Sequence, residues 1–119
     1  MTIAPRVTID HFSFGRIVVA GQTYTKDVMV HADGVDSPWW RQEGHRLAIV
    51  DLETAIRRRP ELLIIGTGTR GMMAVPAAVL AHLEAIGIRV EVLRTDRAVE
   101  RFNGLPEQKK AVAALHLTC

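Results

Sequence analysis

The densest chemistry in the chain lies in the run Gly66-Thr67-Gly68-Thr69-Arg70-Gly71. Its glycines leave backbone N–H groups free of side-chain bulk. Its threonines add hydroxyls, and Arg70 adds a fixed positive charge. That combination suits a small-molecule enzyme or sensor that binds an anion here, because hydrogen bonds to a charged group contribute about 1.5–3 kcal/mol each. Thr95, at the end of a neighbouring apolar segment, is expected at the same edge. A purely conformational explanation stands beside this one. The glycines would then serve only a tight turn with positive φ, and Arg70 would pair with a local carboxylate.

The same run matches the G-x-G-x-x-G pattern of dinucleotide-binding folds, but its surroundings do not. In those folds the helix begins inside the glycine motif, so that its N-terminus meets the pyrophosphate. Here that helix would enclose Pro76, at a cost of about 3 kcal/mol or more. The acidic residue expected at the end of the next strand is also misplaced: Glu91 is mid-strand, Arg94-Thr95 occupy the edge, and Asp96 comes late. Nicotinamide and flavin binding are therefore disfavoured, and no cofactor is expected.

Other reactive residues are scattered. His11, His31, His45, His82 and His116 show no zinc-type pairing, and His116-Leu-Thr-Cys119 offers two ligands where a structural zinc needs four. No metal is expected. His45 with Asp51 or Trp40 is a conceivable acid–base pair, without a geometry to support it. A lone cysteine permits no intrachain disulfide, in keeping with a reducing compartment. Trp39-Trp40-Arg41 follows the loop marker Ser37-Pro38. Adjacent tryptophans need not both point inward. An exposed Trp40 beside Arg41 would be a protein-binding anchor, as these residue types dominate binding hot spots.

The elements that must position these residues divide the chain in two. The first half reads as β structure: Val7–Ile9, Arg16–Ala20 and Tyr24–Val30 are strand-like. Gly21-Gln22 makes a hairpin turn, and Asp33-Gly34 a second turn. Asp51 can cap a helix carrying Leu52, Ala55 and Ile56, which Pro60 stops. The second half alternates. Leu62–Ile65 is continuously apolar, as in a strand covered on both faces. Pro76 opens a helix with Val79, Leu80, Leu83 and Ile86 on one face, closed by Gly87. Ile88–Leu93 is a strand, a helix starts at Thr95-Asp96, and Ala111–Leu117 is the last strand. This order predicts a mostly parallel sheet with right-handed crossovers, placing the Gly66 loop at a carboxyl edge, where ligands of open α/β sheets bind.

The 119 residues fit one domain, residues 1–119. The composition, 48% hydrophobic and 24% charged, is that of an ordinary soluble globule, and a cytoplasmic location is expected. No apolar run reaches the roughly 20 residues of a membrane span, so an integral membrane protein is not expected. The net charge is only +2, and the sole basic run, Arg57-Arg58-Arg59, falls at a helix end where cations are favoured. Nucleic acid is not an expected partner.

Several segments in fixed order resemble one family: Phe14-Gly15-Arg16-Ile17-Val18-Val19, Asp27-Val28, Trp39-Trp40-Arg41, Gly44-His45, Leu63-Ile64-Ile65-Gly66-Thr67-Gly68 and Ala113–Cys119. Together they are similar to the Mth938-like domain family, also known as domain of unknown function 498. The resemblance implies a three-layer α/β fold with a central mixed, mostly parallel sheet, flanking helices and an N-terminal β-hairpin region. It also implies a binding or assembly role rather than catalysis, since the family has no established activity and its mitochondrial relatives assist assembly of respiratory complex I. The family's usual pocket corresponds to Gly66, Thr67, Gly68 and Gly71.

Overall fold

A computed structural model describes residues 7–119 of the chain. Strands β1 (Ile9–Ser13), β2 (Arg16–Val19) and β3 (Gln22–Tyr24) form a small antiparallel sheet. Strands β4 (Val28–His31), β5 (Gly34–Asp36), β6 (Leu62–Gly66), β7 (Arg89–Leu93) and β8 (Ala111–Leu115) form a second sheet, in the order β5-β4-β8-β6-β7. β6 runs parallel to both β7 and β8, whereas β4 runs antiparallel to β8 and β5. The central sheet is therefore mixed. Its parallel half is the part built by strand–helix alternation through α2 (Ala77–Ala85) and α3 (Thr95–Asn103).

Two-sided burial explains the uninterrupted apolar runs. Successive strand residues point to opposite faces. Leu62 and Ile64 of β6, with Ala111, Ala113 and Leu115 of β8 and Val28 and Val30 of β4, join one core. That core lies against Ile17 and Val19 of the small sheet and Ala98 and Phe102 of α3. Leu63 and Ile65, with Val112, Ala114 and Met29, join a second core under Trp39, Leu52, Ala55, Val79 and Leu83. These contacts make three layers, with the mixed sheet in the middle. Among the described residues, no helix is long and apolar enough to cross a membrane.

Several boundaries differ from expectation. The Tyr24–Val30 segment is not one strand: Tyr24 ends β3 in the small sheet, and Val28 starts β4 in the central one. The chain changes sheets at Thr25–Asp27. Among the described residues the first strand starts at Ile9, and the last ends at Leu115. Asp51 lies inside a 3₁₀ turn, Ile49–Leu52, that leads into α1 (Glu53–Arg57). It caps from the third position, its carboxylate accepting the Ala48 N–H at 2.8 Å.

Candidate functional site

β6 delivers Gly66 to the rim of the sheet, but the loop beyond it is closed over by the chain itself. The Gly68 N–H donates to Thr95 Oγ1 at 2.8 Å, and that hydroxyl donates to the His116 carbonyl at 2.6 Å. The N–H groups of Thr69 and Met72 donate to main-chain oxygens of Thr118 and Cys119, at 2.7 and 2.9 Å. Thr67 is tied to Leu93 through both its N–H and its hydroxyl. A Cβ at Gly68 would stand 2.3 Å from the Cys119 carbonyl carbon, so the space left by the missing side chain is filled by residue 119. Gly66, Thr67, Gly68 and Thr95 are buried, and Thr69, Arg70 and Gly71 are exposed. Arg70 makes no ion pair among the described residues.

A second polar cluster lies at the other side of His116. Asp27, from the crossing between the two sheets, accepts three hydrogen bonds. Its Oδ1 takes the Leu117 N–H at 2.7 Å. Its Oδ2 takes Arg41 Nη2 at 2.8 Å and His116 Nδ1 at 2.8 Å. Burial pushes the Asp27 carboxyl up, but the bonds from His116, the Leu117 N–H and Arg41 outweigh it and hold the group below its ordinary value. An ionised carboxylate only accepts, so the 2.8 Å contact places a proton on His116 Nδ1. In the neutral ring Nε2 is then an acceptor, and Thr118 Oγ1 lies 3.5 Å from it.

This cluster fixes the loop that carries the tryptophans. The Arg41 side chain is only 5% exposed. Its Nε and Nη2 donate to the Gly44 carbonyl, and its guanidinium lies 4.6 Å from the Trp39 ring centre. Trp39 is buried in the second core. Its N–H donates to the Asp27 carbonyl at 2.7 Å, and its indole N–H to the Asp51 carbonyl at 2.8 Å. Trp40 stands between these two pinned neighbours with 79% of its surface exposed. Two hollows of about 440 and 450 Å³ adjoin it, and Pro38, Trp39, Trp40 and Arg41 wall both.

The expected site residues thus fall into two groups joined through His116, whose main chain meets Thr95 and whose ring meets Asp27. No spacing in the sequence links Asp27 to His116. The one available signal was a polar His116 placed directly after a buried strand. His45 does not pair with Asp51, whose carboxylate is taken by the N–H groups of Gln42 and Ala48. Its ring instead meets the His116 ring edge-on, 5.5 Å between centres. Among the described residues, no group of three or more His, Cys, Asp or Glu could hold a metal ion.

A family model described as a protein of unknown function, DUF498/DUF598, matches residues 9–116. Among solved structures, a Bordetella parapertussis protein is 26% identical, with a TM-score of 0.81 over 96% of this chain and 98% of its own. The protein MT938 is 28% identical, with a TM-score of 0.76 over 95% of this chain and 99% of its own. A Bordetella pertussis protein described as a Mth938-like domain shares the fold at 20% identity, with a TM-score of 0.68 over 98% of this chain and 91% of its own.

Proposed function

The chain belongs to the DUF498/DUF598 family of proteins of unknown function, and we propose that it is a non-enzymatic, cytoplasmic binding protein whose recognition face is centred on Trp40. The observation that carries this reading is the contrast between neighbours. Trp39 and the side chain of Arg41 are buried and hydrogen-bonded, while the large ring between them is left in solvent. An exposed tryptophan on a pre-ordered loop loses little conformational freedom when covered, and such anchors dominate binding energies. By family resemblance, the partner would be a component of a respiratory complex during its assembly.

Quantitative affinity capture from cells of the source organism tests this reading. Wild type, Trp40→Ala and Ile86→Ala serve as baits, the last removing a different exposed apolar side chain. A partner retained by wild type and Ile86→Ala but lost with Trp40→Ala is the expected result. Identical capture by all three would remove the reading.

A second reading places a small anion at the Gly66–Gly71 loop. Its support is Arg70, exposed and without an ion pair among the described residues, in a loop whose Gly71 lies against the Arg94 side chain. It requires residues 118–119 to withdraw, because they now occupy the N–H groups of Thr69 and Met72. Unchanged phosphate and sulfate binding in Arg70→Ala would eliminate it.

A further inference from the structure

The two hollows that meet at Trp40 differ in charge. One is lined by Lys26 and Arg41, with Asp27 as the only carboxylate among the described residues. The other is lined by three acidic residues, Asp36 and Glu53 among them, as well as by Arg41. Lys26 is exposed and makes no ion pair among the described residues. Arg41 lines both hollows, has a side chain only 5% exposed, and carries an Nη1 with no acceptor among the described residues. Buried guanidinium N–H groups rarely go unmatched, so an acceptor brought from outside would complete the set. The single carboxylate on that side is already committed to three donors.

Resting on the Trp40 reading above, we infer that the partner presents an extended segment in which a carboxylate neighbours an apolar residue. The Asp or Glu enters the hollow at Lys26 and Arg41. The apolar residue packs on Trp40 and Pro38. A chain laid across a ridge reaches both hollows, whereas one small molecule would fill only one of them.

A random-peptide display selection on the purified full chain tests this, followed by affinity measurements on synthesised winners. Wild type is expected to enrich peptides with an acid beside an apolar residue. Affinity should fall tenfold or more with Trp40→Ala, with Lys26→Glu, or when the peptide's Glu is replaced by Gln, and should persist with Lys26→Arg. Lys26 is solvent-exposed and outside the Asp27 cluster, so its variants keep the fold, which a thermal melt verifies. Peptides that require Trp40 but are indifferent to the sign at position 26 would overturn the carboxylate while leaving recognition through Trp40 intact. A selection yielding no Trp40-dependent peptide would overturn both.

Discussion

Asp27 Oδ2 and His116 Nδ1 lie 2.8 Å apart although 89 residues separate them in sequence. The contact joins the point where the chain leaves the small sheet to the point where it leaves the last strand. Through Arg41, which shares the same carboxylate oxygen, it also sets the base of the tryptophan loop. One carboxylate therefore couples sheet crossing, tail placement and presentation of Trp40.

Asp27→Asn should strongly destabilise the fold. It removes the charge facing a guanidinium that is 5% exposed, and breaking a buried pair from one side costs about 3–5 kcal/mol. Asp27 keeps some solvent contact, so the lower end, on the order of 3 kcal/mol, is expected in urea unfolding. A loss under about 1 kcal/mol would mean that the pair contributes no more than an ordinary surface ion pair.

The same group gives stability a pH dependence of defined sign. Its folded-state pKa lies below its ordinary value, so on acidification the unfolded chain takes up the proton first. The contribution is complete above about pH 4 and is lost as pH falls through the folded value. Glu91, held down mainly by its bond from Arg101, acts in the same direction but more weakly, because that pair is solvent-screened. Urea midpoints across the acidic range, at fixed salt, should fall less steeply in Asp27→Asn than in wild type. Parallel slopes would contradict the assignment.

The two tryptophans should separate cleanly by substitution. Trp39→Ala empties a buried site and leaves the Asp51 carbonyl without its donor, at an expected cost of about 3–5 kcal/mol. Trp40→Ala should change stability by no more than about 0.5 kcal/mol. Acrylamide should quench the single indole of a Trp39→Phe variant far more than that of Trp40→Phe.

The packing of residue 119 over the Gly66 loop predicts a specific response to added atoms. Gly68 has φ +106°, and a methyl there would collide with the Cys119 carbonyl. Gly68→Ala should cost on the order of 1–3 kcal/mol from backbone strain alone and expel the tail. Hydrogen exchange at the Thr69 and Met72 amides, which donate to residues 118 and 119, should accelerate selectively. Unchanged protection there would show that the tail does not depend on the bare backbone at 68.

Much of the fold was legible because β6 and β8 are buried on both faces and contain no polar residue to blur the signal. The crossing at Thr25–Asp27 was not, since β-branched residues on either side of it read as one strand. The glycine loop follows β6, where the apolar run at residues 62–65 ends. A missing side chain signals only that something approaches closely, however, and at Gly68 it is the chain's own residue 119. Adjacent Trp39 and Trp40 imply two different fates, but nothing local indicates which ring turns inward. That choice is made by the Asp27 and Asp51 carbonyls, contributed by other elements. The Asp27–Arg41–His116 cluster was illegible as a unit, because no spacing rule links three residues brought together by sheet order.

Site-specific photocrosslinking in living cells, with a benzophenone side chain at position 40 and at the exposed position 84 as control, asks most directly whether this face is used. A discrete adduct from position 40 that is absent from position 84 is expected, mapping to one partner polypeptide. The same diffuse background from both positions would mean that the exposed indole is merely a surface residue.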